Sequence, residues 1–137
     1  MQLVTYLTFT GDCEQALTFY KDCLNGEILE ISRMGDTKEM QIADDLKNKI
    51  MHARLKVGDN EVYMSDTFDP SKVNKGNNMS LTLVMDDISM TEKLFAALSE
   101  GGKVTMPLQD TFWGARFGML IDKFGIPWML NCEKKQG

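Results

Sequence analysis

The order of structural signals along the chain repeats itself, and that repetition restricts the fold more than any single residue does. In "GDCEQALTFYKDCLNGE", Asp12 and Gln15 have the spacing of a capping box. Ala16, Leu17, Tyr20, Cys23 and Leu24 follow at helical spacing, and Gly26 is placed to end the helix in a left-handed conformation. In "DDISMTEKLFAALSEGGK", Ser89 and Glu92 have the same box spacing, Met90, Leu94, Ala97 and Leu98 form the apolar stripe, and Gly101-Gly102 ends it. Strand patterns surround both helices. Segments 3–9, 27–34, 50–57 and 61–67 flank the first; 79–85, 104–109, 113–121 and 126–132 flank the second. Gly58-Asp59-Asn60 and Lys123-Phe124-Gly125 supply turns between paired strands. Each half therefore reads strand, capped helix, three strands, although few residues match between halves. A doubled βαβββ unit predicts an α+β chain: one curved mixed sheet or a pair of them, a half-barrel with helices outside and a cup inside. The expected boundaries are module one at 1–69, a linker at 70–78 and module two at 79–133, within one domain spanning 1–137.

Composition narrows the function classes. Acids outnumber Lys plus Arg by 20 to 15, and the longest basic cluster is Lys134-Lys135, so a nucleic-acid-binding face is not expected. No apolar run approaches the roughly 20 residues of a membrane helix, and the start lacks a signal-peptide pattern, so the expected setting is the cytoplasm, away from membranes. Three cysteines, Cys13, Cys23 and Cys132, without C-x-x-C spacing, read as reduced thiols. Cys13, at a helix start, reads as a structural thiol or as one with enhanced thiolate character.

The βαβββ-βαβββ order, with "YLTFTGDCEQALTFYKDCLNGE", "IMHARLKVGDNEVYMSD" and "LFAALSEGGKVTMPLQDTFWGARFGMLIDKFGIPWMLNC", resembles the vicinal oxygen chelate superfamily. That superfamily holds glyoxalase I, bleomycin-resistance proteins and extradiol dioxygenases. Within it the chain looks like the PhnB-like branch, often labelled demethylubiquinone methyltransferase-like, over essentially its whole length. The methyltransferase label has no support in the residues: a doubly wound methyl-donor site needs a Gly-rich turn, and "LTFTGDCEQAL" has one glycine and no G-x-G. In metal-dependent members, His, Gln or Glu ligands come from the first and last strands of each unit. Laid on this chain, the pattern falls near Thr5 or Tyr6, Tyr63 or Met64, Ser80 and Met129, where imidazole and carboxylate are missing. No metal and no other cofactor is expected.

Candidate ligand-binding residues follow from strand alternation. His52 and Arg54 share one strand face with Lys56, either as a polar surface stripe or as acid/base and anion contacts. Tyr63 with Ser65, or Met64 with Asp66, faces inward, depending on register. Arg116, between Gly114 and Gly118, reads as an anchor for an anionic group or as the partner of Asp110 or Asp122, or as a subunit contact. Trp113, Phe117 and Trp128 read as core or as the aromatic lining of a cup. The expected function is metal-free binding of a small molecule, anionic ones included, by a homodimer. The competing expectation is a metal-free isomerase or lyase with His52 or Asp66 as base and Arg116 as oxyanion anchor. A third is a structural dimer with a vestigial cup.

Overall fold

The computed structural model describes residues 1–133, so the Lys134-Lys135 pair lies outside the described residues. The chain divides into two compact units, Met1–Asn74 and the residues from Lys75 onward. Each is one βαβββ unit with a four-stranded mixed sheet, as the repeated signals predict.

Unit one runs β1 (Thr5–Phe9), α1 (Cys13–Leu24), β2 (Glu27–Arg33), β3 (Ile50–Val57) and β4 (Asn60–Asp66). Its strand order is β1-β4-β3-β2, with β1 parallel to β4 and the other pairs antiparallel. The sheet stays open, with β1 and β2 at its edges. Helix α1 packs on β3 and β4, burying Cys13, Ala16, Leu17 and Tyr20 on the side of Ala53, Leu55 and Met64. Alternation along the strands then sends His52, Arg54, Tyr63 and Ser65 to the face away from α1. The 34–49 loop contains two short 3-10 turns, Met34–Asp36 and Asp44–Leu46.

Unit two repeats the plan with β5 (Leu81–Met85), α2 (Ile88–Ser99), β6 (Lys103–Asp110), β7 (Ala115–Ile121) and β8 (Pro127–Glu133), in the order β5-β8-β7-β6. Thr91, Phe95 and Leu98 of α2 are buried on the side of Leu120, Trp128 and Leu130. Among the described residues, no helix is long and apolar enough to cross a membrane.

Both capping expectations are corrected. The Asp12 side chain makes no cap bond; Asp66, at the end of β4, accepts from the backbone N–H of Gly11 (2.9 Å) and Cys13 (3.0 Å) instead. A carboxylate delivered by tertiary structure replaces the local one. The left-handed residue after α1 is Asn25, φ 51°. Gly26 serves close approach: a Cβ there would lie 2.9 Å from the Lys56 carbonyl oxygen. In α2 the cap is Asp87, whose side chain accepts from Met90 N–H at 3.0 Å, rather than Ser89. The buried stripe is Thr91, Phe95 and Leu98, the face that packs on the sheet, and Met90 is 53% exposed. Strand β7 begins at Ala115 rather than 113, because Thr111–Gly114 forms a turn. There Ala115 N–H donates to Thr111 Oγ1 (3.1 Å), and Gly114 adopts φ +84°, which a side chain would strain.

Candidate functional site

On the face of unit one away from α1, parallel pairing sets Tyr6 opposite Tyr63, and antiparallel pairing sets Tyr63 opposite Arg54. These two registers gather the cluster. Tyr6 Oη and His52 Nδ1 lie 3.2 Å apart and share a hydrogen bond. The two rings stack with centroids 5.8 Å apart and planes at 28°, and Tyr63 meets the imidazole edge-on at 5.3 Å. The Arg54 guanidinium lies over the Tyr63 ring, 5.6 Å from its centroid. Arg54 donates from Nε (3.0 Å) and Nη2 to Glu61 Oε1, and its Nη1 lies 3.7 Å from Glu30. That hydrogen bond holds the Glu61 carboxyl below its ordinary range and raises the guanidinium in turn. Arg54 is thus charge-matched within its own sheet. Ser65 stands opposite Thr8 on the same face, half-buried.

Asp66 takes the other direction. Met64 and Asp66 face α1, and Asp66 is 5% exposed. Besides Gly11 and Cys13, it accepts from Ile50 N–H through Oδ2 at 2.9 Å. Three backbone donors from two places in the chain, the start of α1 and the start of β3, hold this carboxylate. Burial, with the Asp66 charge reinforcing it, pushes the Cys13 thiol far above its ordinary value, which favours the structural reading of that cysteine.

In unit two the candidates separate onto two faces. Arg116 faces α2, where its guanidinium donates to Glu92 through Nη1 and to Asp110 through Nε (3.2 Å). The ion-pair alternative is the one realised, through Asp110 and Glu92 rather than Asp122. The neighbouring glycine also has its own reason: a Cβ on Gly118 would come 2.8 Å from the Phe95 ring and 3.0 Å from the Leu108 side chain. The empty space accommodates the helix. Trp128 is in the core, 3% exposed, its Nε1–H donating to Asp122 Oδ2 at 2.8 Å. Asp122 Oδ1 also accepts from Phe124 and Ile126 N–H, which fixes the β7–β8 turn. Phe117 points away from α2, its ring 6.2 Å from that of Trp113, which is 58% exposed in the turn. Asn131, paired with Phe117 and Val84, has a buried Oδ1 without a hydrogen-bond partner among the described residues, a condition that costs about 1–3 kcal/mol.

The residues do not fit a resident divalent metal. Away from the helices, the first and last strands offer Tyr6, Thr8, Tyr63 and Ser65 in unit one, and Thr82, Val84, Met129 and Asn131 in unit two, with the single carboxylate Glu133 exposed at the far end of β8. Hydroxyl, amide and thioether groups make a poor donor set for such an ion. Glu61, the one carboxylate on that face of β4, is held by Arg54. No group of three or more His, Cys, Asp or Glu that could hold an ion occurs among the described residues.

Sequence pattern marks Tyr6 only as a position where a metal ligand is missing, and it does not mark Glu61 or Asn131. The signal for Tyr6 and Glu61 lies in pairing: once β1 is set parallel to β4, Tyr6 meets Tyr63, and Glu61 falls on the face of Arg54.

Two open mixed sheets, each with one helix on one face and a distinct side-chain cluster on the other, define a duplicated βαβββ protein of the glyoxalase type. The chain belongs to the Glyoxalase/Bleomycin resistance protein/Dioxygenase superfamily, whose profile matches residues 2–130. It is similar to Protein YjdN of Escherichia coli (strain K12), 34% identical over 99% of this chain and 98% of that one. Among solved structures it resembles protein PA1353 from Pseudomonas aeruginosa, with 43% identity, TM-score 0.87, and 98% and 99% of the two chains covered. The PhnB protein from Bacillus cereus, with 26% identity, TM-score 0.82, and 96% and 99% covered, supports the PhnB-like branch.

Proposed function

We propose that the chain binds a small molecule on the face of unit one away from α1, with His52, Tyr6 and Tyr63 as the contacting groups. The observation that carries this is a contrast between the two units. Counting from the last paired residue of each first strand, Phe9 and Met85, Tyr6 corresponds to Thr82 and Tyr63 to Met129. Pairing across to the third strand, Arg54 then corresponds to Met119, and His52, two residues earlier, to Phe117. The same scaffold is built in unit two without imidazole, guanidinium or phenol at these positions. The fold does not require them, so a ligand is the better account of their presence.

Asp66, one of the two bases (with His52) that an isomerase or lyase reading allows, and Arg116, its oxyanion anchor, have polar atoms engaged by backbone amides and by carboxylates respectively. That favours binding over proton abstraction. The test is retention: incubate the purified protein with a small-molecule extract, remove unbound material and identify what remains by mass spectrometry. A compound held by wild type and lost from His52→Ala and Tyr63→Ala supports binding. Equal retention by all three proteins, or none by any, overturns it.

We also propose a homodimer, because β1, β2, β5 and β6 are left as sheet edges within their units and a two-fold partner can cover such edges. A monomeric mass by light scattering at micromolar concentration removes that part.

A further inference from the structure

We infer that Tyr6 is a positioning residue that fixes the tautomer of His52: the phenol donates to Nδ1, Nε2 carries the ring proton, and the ligand presents an uncharged carbonyl oxygen to it. This rests on the binding face proposed above and adds the class of ligand.

A neutral phenol and a neutral imidazole can share one hydrogen bond in two ways. Either the ring N–H donates to the phenol oxygen, or the phenol O–H donates to the bare ring nitrogen. An imidazole nitrogen is a far better base than a phenol oxygen, and a phenol is the better acid, so the second arrangement is the stronger. With Tyr6 Oη 3.2 Å from Nδ1, it makes Nδ1 the acceptor and leaves the proton on Nε2. Nε2 makes no hydrogen bond to any described residue. In this form it is a donor and cannot act as a base.

The surroundings hold the ring in place and set the charge of what it meets. Tyr6 stacks on the imidazole, Tyr63 meets its edge, and the His52 carbonyl accepts from Ser32 Oγ at 3.3 Å. Arg54, two residues along the same strand face, is matched by Glu61 and Glu30. Lys56, the next cation along that face of β3, acts on Glu61 as well, so within unit one a carboxylate or phosphate at the imidazole would meet cations already facing acids, and its desolvation would be poorly compensated. A neutral carbonyl needs only the single Nε2–H, and the Tyr6 and Tyr63 rings suit a flat body attached to it.

His52 is the only histidine in the chain, so its ring nitrogens give one unambiguous set of signals in a multiple-bond ¹H–¹⁵N correlation spectrum of the full chain. In mildly alkaline buffer, wild type is expected to show a single tautomer with Nε2 protonated and Nδ1 bare. Tyr6→Phe should give averaged shifts from a mixture, and Tyr63→Phe, which leaves the hydrogen bond intact, should match wild type. A protonated Nδ1 in wild type, or identical spectra for wild type and Tyr6→Phe, overturns the tautomer assignment. Acetophenone and benzoate, matched flat probes, then test the ligand class. Acetophenone should shift the His52 signals saturably, several-fold more weakly in Tyr6→Phe, and benzoate should not. The reverse preference overturns the carbonyl class while binding at this face stands. Failure of both probes to shift any signal from that face removes the binding reading and the ligand class together, and leaves the tautomer result to be judged by its own spectra.

Discussion

Asp66 Oδ1 accepts the backbone N–H of Cys13 at 3.0 Å, tying the end of β4 to the first turn of α1 across 53 residues of chain. Gly11 N–H shares that oxygen and Ile50 N–H takes the other. Replacing Asp66 by Ala would strand three backbone donors, two of them in buried bonds. Unmet buried donors cost roughly 1–3 kcal/mol each, so Asp66→Ala is expected to lower unfolding stability by about 3 kcal/mol or more. Asp66→Asn should fall between, since its amide nitrogen would face Ile50 N–H donor to donor. Urea denaturation checks both, and a loss below about 1 kcal/mol for Asp66→Ala would contradict this role.

Gly118 makes a second prediction from geometry alone. An added Cβ would meet Phe95 at 2.8 Å and the Leu108 backbone nitrogen at 3.1 Å, so the helix and β6 must both give way. Overpacking of this kind costs about 1–3 kcal/mol. Gly118→Ala should lose stability in that range, and Gly118→Ala combined with Phe95→Leu should recover part of it if the clash with Phe95 is the cause. Thermal unfolding of the two variants decides the point.

Much of this fold was legible because its signals are local. Turn glycines, helical spacing and strand alternation give the order of elements, and the doubled unit follows from that order. The α1 cap is hidden from local sequence because Asp66 reaches it from β4, whereas the α2 cap is local but two residues earlier, where Asp87 pre-empts Ser89. Arg116 was legible as a residue with unusual room. Whose room it was depended on which side of the sheet faced α2, and one-dimensional alternation leaves that face undetermined. Strand alternation alone sets His52 and Arg54 on one strand face. Tyr6 was not joined to them, because a parallel β1–β4 pairing separated by more than fifty residues leaves no mark in local sequence.

Arg116→Ala removes contacts to Glu92 and Asp110, whose side chains are both 55% exposed. Solvent-screened pairs of this kind contribute about 0.2–1 kcal/mol each. A stability loss of roughly 0.5–1.5 kcal/mol is expected, smaller at high salt, with retention of the bound compound unchanged. Loss of that compound with stability intact would return Arg116 to a ligand-binding role.

The pH dependence of stability carries the last prediction. Glu14 accepts from both Nη1 (3.1 Å) and Nη2 of Arg33, while Nη1 also donates to the Asn48 carbonyl at 2.8 Å, linking α1 to the 34–49 loop. The hydrogen bonds from Arg33 hold the Glu14 carboxyl below its ordinary 4.5. A carboxyl whose folded value is depressed binds its proton more readily when unfolded. Its stabilising contribution is therefore fully present above about pH 4.5 and is lost as pH falls through the folded value. Glu14 is 49% exposed, so solvent screening limits that contribution to about 0.5 kcal/mol. Glu14→Gln should be less stable than wild type at neutral pH by that amount, and the gap should close in acid below the folded value. Urea unfolding of the two proteins across this range gives the comparison. A gap that stays constant into acid would mean the side chain acts through packing and not through its charge.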